Sequence, residues 1–304
     1  MLYSLLLFIV TLLPQHHFAD IPAGNYSGIT WLGGDRYAVV SDKSDTDGFF
    51  IWTIKLDSIT GEIRSAKNEG FYSSSQPNRD GEGIAFNPRT NTIFISGEAD
   101  NYIKEYDLSG KLTGRDIPPT PLYKTLPRNL GLEALSYNDS TQTLWTCNES
   151  GDVVIQSYNA NNLQPLHHYP YTLDAPIANQ AKAQFYAHGI GTLCALDDGS
   201  LLVLEREFYV PKKKLGAFVS CKLFHFRPGD THKEQLASWR TSLTLFKQDI
   251  ANYEGMCLGP KLKDGSRVLV LVADSQGQYA GVLKDWIKTI RSEEHTSELQ
   301  SREV

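Results

Sequence analysis

Apolar and polar positions alternate in short runs along this chain. The runs are rich in β-branched and aromatic residues and end at Gly, Pro, Asn or Asp, with no sustained three-to-four helical spacing. Gly28 to Leu32 is followed by a Gly33-Gly34-Asp35 turn, then Tyr37 to Ser41, Phe49 to Ile54 and an edge-like Glu62 to Tyr72. Ile84 to Phe86, an Asn87-Pro88 turn, Thr92 to Ser96, Tyr102 to Tyr106 and a turn over Leu108 to Lys111 repeat the plan. Thr143 to Thr146 with Val153 to Tyr158, and Leu201 to Leu204 with Lys222 to Phe226, repeat it twice more. The pattern predicts strands throughout.

The strands fall into units. Ser27-Gly28-Ile29, Glu82-Gly83-Ile84, Glu133-Ala134-Leu135, His188-Gly189-Ile190 and Glu254-Gly255-Met256 start them, 55, 51, 55 and 66 residues apart. Four strands in ~50 residues is the signature of a β-propeller blade. The predicted fold is an all-β propeller of four-stranded antiparallel blades, five by count. A sixth, assembled from the two ends, stays open. Unit five shows only two clear strands, Met256 to Leu258 and Val268 to Val272, before a helix or closing strand over Gly281 to Ile290.

Both ends are expected to lie outside the fold. Leu2 to Leu13 is too short to span a bilayer and meets Pro14, which suits a secretory signal with cleavage near Ala19. The competing reading is a buried first strand. Arg291 to Ser301 reads as the translation of a sequencing-adapter oligonucleotide, which predicts a gene truncated near Ile290 and a non-native tail over 291–304. The propeller domain is then 20–290. An exported protein, periplasmic or extracellular in a bacterium, is expected, as a monomer with no transmembrane segment in the mature chain.

Charge narrows the partners. The formal net charge is −6, and the longest basic run is Lys212-Lys213-Lys214, too short for a nucleic-acid footprint. Cys147, Cys194, Cys221 and Cys257 are widely spaced in apolar contexts, which favours buried thiols over disulfides. No Gly-x-Ser-x-Gly elbow, Walker motif or dinucleotide fingerprint occurs.

Several of these segments together resemble the phytase-like domain, described as the esterase-like activity of phytase family. They are Asn25 to Ile29, Tyr37 to Asp42, Asp80 to Ile84, Leu132 to Leu135, Leu202 to Arg206, Asn252 to Met256 and Val272 to Ser275. The resemblance runs from about Ala19 to Ile290. It implies an exported bacterial propeller with phosphoesterase or esterase activity, and supplies no catalytic set. His188, where the other units offer an acid or a serine, departs from the pattern.

In a propeller the first strand of each blade lines the axis. Glu82, Glu133 and Glu254, each followed by a small residue, should therefore converge. Asp42, Glu98, Glu149, Glu205 and Asp274 close the next strand of their units and form a second set. Carboxylates held together need a counter-charge. A hard cation such as Ca2+, bound by six to eight oxygens, is one solution. Hydrogen bonds from neighbouring blades, or pairing with Arg79, Arg128 and Arg206, is the other. On the first reading the protein hydrolyses a small anionic ester at a metal held by these acids, with Arg79, Arg206 and His188 contacting substrate. On the second it is a non-catalytic propeller that binds a glycan, peptide or envelope partner. A lactonase-type hydrolase would share the metal and differ in substrate.

Overall fold

The structure is a computed structural model that describes residues 5–124, 126 and 131–297. Strand β1 (Leu5–His16) comes first, but its sheet is completed only at the other end of the chain. Blade one is β2 (Tyr26–Gly33), β3 (Arg36–Ser41), β4 (Thr46–Leu56) and β5 (Ile63–Pro77). Blade two is β6 (Gly81–Asn87), β7 (Thr92–Gly97), β8 (Ile103–Asp107) and β9 (Leu112–Ile117). Blade three is β10 (Leu132–Asn138), β11 (Thr143–Asn148), β12 (Val153–Asn159) and β13 (Pro165–Tyr171). Blade four is β14 (Ala183–Ala195), β15 (Leu201–Pro211), β16 (Ala217–Phe226) and β17 (Lys233–Leu243). Blade five joins β18 (Asn252–Lys261), β19 (Arg267–Asp274) and β20 (Ile287–Ser297) to β1, in the order β1-β20-β19-β18.

The described residues form five antiparallel four-stranded blades. The innermost strands β2, β6, β10, β14 and β18 each touch the next, and β18 returns to β2, so the ring is closed. Apolar faces of adjacent blades bury each other, which is why the core is five clusters rather than one. Tyr26, Tyr37 and Trp52 pack with Val268 and Val270 between blades one and five. Leu204, Val219 and Leu223 pack with Tyr253, Met256 and Leu269 between blades four and five. The four cysteines are buried free thiols, as their apolar contexts predict. No helix among the described residues is long and apolar enough to cross a membrane.

The ends of the chain are used differently from expectation. Leu5–His16 pairs antiparallel with β20, with Leu12 opposite Ile290 and Thr11 opposite Arg291. Val10 and Leu12 pack on the core between blades four and five. Gln15 donates to the Asp249 carbonyl at 2.8 Å and accepts from the Tyr253 hydroxyl at 2.7 Å. Residues 291–297, expected as a tail, continue β20, and residues 298–304 lie outside the described residues. The physical reason is edge pairing. Without β1, β20 would present a row of unpaired N–H and C=O groups.

Candidate functional site: an acidic ring at one mouth of the propeller

Four innermost strands bulge at the same level, where one or two residues fall out of register with the next strand. The bulged residues are Ser27, Glu82 with Gly83, Glu133 and Glu254. In β14 the corresponding bulge falls at Gly191, between the pairs Ile190–Glu205 and Thr192–Leu204. Bulges at this position turn side chains out of the sheet and toward the axis. The residue after the pair on the neighbouring strand is Asp42, Glu98, Glu149, Arg206 or Asp274 in the five blades. Blade four therefore contributes Gly191 and Arg206 to the ring. Sequence reading assigns His188 and Glu205 there instead.

The backbones crowd together at this level, as the small residues of the repeat predict. A Cβ added at Gly83 would lie 2.4 Å from the Leu135 nitrogen, and one at Gly28 2.6 Å from the Glu82 carbonyl oxygen. At Gly191 it would lie 2.7 Å from the Tyr253 carbonyl oxygen and 3.2 Å from Arg206 Cδ. Side chains at these positions have no room, so the carboxylates beside them are brought close together.

Arg206, buried, reaches across two neighbouring blades. Its Nη2 lies 3.1 Å from Glu149 Oε1 and 2.8 Å from Glu254 Oε1. Asn252 Nδ2 donates to the same Glu254 oxygen at 2.8 Å. Burial works against the guanidinium's charge, but Glu254, Glu149 and Glu133 outweigh it and hold Arg206 more firmly protonated. One cation does not neutralise the ring. Burial, with repulsion from Asp274, Glu149 and Asp42, pushes Glu254 up to about 8 despite Arg206. Asp274 is pushed up to about 6, first by burial and then by Asp42 and Asp285. Glu82 and Glu133 are raised well above the carboxylate range, by burial first and then by the other ring acids. Burial also raises Asp42 and Glu98.

Between blades one and two three carboxylates converge. One carboxylate oxygen from each of Asp42, Asp80 and Glu82 lies within 4.8 Å of the other two. Asn78 ties the two loops together, donating to the Asp42 carbonyl at 2.7 Å and accepting from the Asp80 N–H at 2.8 Å. Lys43 Nζ sits 2.6 Å from Asp80 and 3.1 Å from Asp42, with its side chain 62% exposed. Asp42 Oδ1 is buried without a hydrogen-bond partner, as are Asn252 Oδ1 and Arg206 Nε nearby in the ring. The Glu82 carboxylate, 8% exposed, is pressed by the like charges of Glu133, Glu254, Asp42 and Glu98. Asp80 and Lys43 were missed in the sequence. The available signal was Asp80-Gly81-Glu82, two acids straddling a glycine at the start of a first strand.

Other expected site residues are committed elsewhere. Arg79 spends its guanidinium within blade two, on Asp100 at 2.7 and 2.8 Å, the Tyr102 carbonyl at 2.7 Å and the Tyr106 hydroxyl at 3.1 Å. Glu205 faces blade three, accepting from the Tyr171 hydroxyl at 2.9 Å, the Asp174 N–H at 3.0 Å and Lys233. His188 pairs with Glu207, three residues before Gly191 on β14 and off the level of the ring. Lys214 donates to the Tyr279 hydroxyl at 2.9 Å. The opposite mouth has a cavity of about 280 Å³ of mixed character, lined by Trp31, Phe86, Tyr137 and Leu258 together with Asp139, Asp197 and Arg267.

No curated protein matches the chain. Among solved structures, hydrazine synthase of Kuenenia stuttgartiensis aligns over 88% of this chain and 81% of that one, at 9% identity and a TM-score of 0.44. The nidogen/laminin complex aligns over 86% and 80%, at 11% identity and a TM-score of 0.45. Likenesses that distant say nothing about chemistry. The sequence comparison is firmer, since residues 21–276 match the phytase-like family, described as esterase-like activity of phytase, and the chain belongs to that family.

Proposed function

We propose that the protein is a metal-dependent hydrolase of small esters whose cation, Ca2+ by preference, is held by Asp42, Asp80 and Glu82. The observation that carries this reading is the convergence of those three carboxylates within 4.8 Å, with Asp42 Oδ1 left without a partner. Three carboxylates offer up to six oxygens, the donor type and number that suit Ca2+. Lys43 occupies the same corner, but an exposed lysine can swing into water at little cost. The bound ion would supply Lewis-acid polarisation of the ester oxygen and a more acidic water. The chain's own residues do the rest. Arg206 and Asn252 hold Glu254 in place, and Glu254, made more basic by burial, accepts the proton of the attacking water. Water adds to the acyl or phosphoryl centre, the ester C–O or P–O bond breaks, and the proton passes to the leaving alkoxide.

The test is turnover of p-nitrophenyl acetate and p-nitrophenyl phosphate with Ca2+ and with chelator, alongside calorimetric Ca2+ binding. Glu82→Gln should weaken Ca2+ binding by at least ~10-fold, the scale of losing even an outer-shell partner. Turnover indifferent to chelator, or unchanged Ca2+ affinity in Glu82→Gln, would sink the proposal. A second reading is that the ring is structural. Lys43 and Arg206 already supply counter-charge to Asp42, Asp80, Glu149 and Glu254, as a purely structural ring requires. A propeller that binds a glycan, peptide or envelope partner without catalysis would show no turnover in the same assay.

Export belongs to the same reading, supported by the apolar run Leu2 to Leu13 ahead of Pro14. Leu5–His16 cannot be both β1 and a removed signal. N-terminal sequencing of the protein recovered from periplasm or medium decides between them. A start near Asp20 supports cleavage and leaves β20 with an open edge, whereas protein confined to the cytoplasm overturns export.

A further inference from the structure

Blade four is taller than the others on the acidic side. Its strands β14 and β15 run past the ring to Ala183 and Pro211, and the loop after Asp274 folds against them with a 3-10 turn at Tyr279–Gly281. Between these segments lies a pocket of about 310 Å³, lined by Phe185, Phe208, Val210, Tyr279 and Leu283, with Gln184 and Gln276 at its edge. Phe185 and Phe208 meet edge to face at 5.3 Å, and Lys214 closes the outer side, 5.0 Å from the Tyr279 ring centre. Phe185 and Tyr279 are 46% and 48% exposed, large aromatic surfaces left facing a concavity. An apolar pocket with one polar closure is the ordinary form of a small-molecule site.

We infer that this pocket holds the apolar chain of the ester substrate, so that the substrate class is esters with a medium-length alkyl or arylalkyl group. Strand geometry sets the length. Phe208 and Val210 lie two and four residues beyond Arg206, roughly 7 and 13 Å at ~3.3 Å per residue. An acetyl or ethyl group beside Arg206 stops short of the pocket, and a chain of about eight carbons that starts there enters it. The same argument disfavours a wholly polar polyol ester. Arg206 and Arg79 are engaged by Glu149, Glu254 and Asp100, which leaves both less free to meet additional charges on a substrate.

The inference rests on the hydrolase reading for the reaction, and on the pocket alone for binding. The experiment therefore has two arms on the full chain. The first compares kcat/KM for p-nitrophenyl octanoate and p-nitrophenyl acetate, which share a leaving group. The second measures octanoate binding by calorimetry. Wild type should prefer octanoate, and Phe185→Ala and Tyr279→Ala, both at exposed positions, should lower that preference and the octanoate affinity by roughly 10-fold, the worth of two buried methylenes. Octanoate bound by wild type and lost in both variants, with no ester turned over, keeps the pocket and removes the hydrolase reading. Octanoate that fails to bind wild type, or a preference untouched by both variants, overturns the pocket.

Discussion

Blades three and four have the same strand order and the same bulge, yet opposite chemistry at the axis. Blade three presents Glu133 and Glu149, and blade four presents Gly191 and Arg206. The two changes in blade four are physically one. The arginine stem crosses the space that a side chain at position 191 would fill, since a Cβ there would lie 3.2 Å from Arg206 Cδ. Loss of an acid thus makes room for a base, and the base then serves acids of both neighbouring blades. A ring of buried like charges cannot all ionise. The propeller meets this in blade four by exchanging an acid for a base, and at the corner between blades one and two with Lys43 beside Asp42 and Asp80.

The severest challenge to that coupling is Gly191→Glu, which restores the repeat's letter. Its Cβ would lie 2.7 Å from the Tyr253 backbone oxygen, and the new carboxylate would expel Arg206 into a ring already rich in acids. We expect a loss above ~4 kcal/mol or no folded protein, read by urea unfolding followed by circular dichroism. A variant as stable as wild type would show that glycine and arginine are independent. Arg206→Gln should come next. Removing one partner of a buried pair costs about 3–5 kcal/mol, and the loss should be larger at pH 8 than at pH 5, where the orphaned acids take up protons.

The ring also predicts the pH dependence of the cation-free protein. Glu254 titrates near 8 and Asp274 near 6 when folded, above their ordinary values of 4.5 and 3.8. The folded state therefore keeps protons that the unfolded chain has released. Stability contributed this way is complete below the ordinary carboxylate range and is lost as pH rises through 6 and then 8. Between pH 5 and 8 the unfolding free energy should fall by a few kcal/mol, at about 1.4 kcal/mol per pH unit for each retained proton. Added Ca2+ should flatten the fall, because a ligand of the folded state stabilises it by mass action. A flat profile without the cation would mean that Arg206 and Lys43 already neutralise the ring.

The blades were readable because strand alternation and a ~50-residue period are local signals. Most of the ring was readable for the same reason, as Glu82, Glu133, Glu254, Asp42, Glu98, Glu149 and Asp274 all fall where the repeat puts them. Blade four was not, because His188-Gly189-Ile190-Gly191 contains two glycines with the repeat's look. Gly189 is a tight contact too, a Cβ there lying 2.4 Å from the Glu149 carbonyl oxygen. Only pairing with β15 decides which glycine marks the bulge, and pairing is a long-range fact. Leu5–His16 shows the same limit. An apolar run has one composition whether it leads export or fills a sheet edge, and its partner β20 lies at the far end of the chain.

The smallest expected effect tests the same register from the other side. His188 stands opposite Glu207, three residues along β14 from Gly191 and outside the bulge. If the ring level is at Gly191, His188→Ala removes a half-buried side chain that touches neither Arg206 nor the Asp42–Asp80–Glu82 corner. Stability should stay within ~0.5 kcal/mol of wild type, as for substitutions away from special features. Calorimetric Ca2+ affinity should change by less than about twofold, a difference of ~0.4 kcal/mol. A tenfold loss of affinity would place the imidazole against the cation. That would shift the functional level of blade four outward by three residues, and Gly191 and Arg206 would no longer be the positions at which its symmetry breaks.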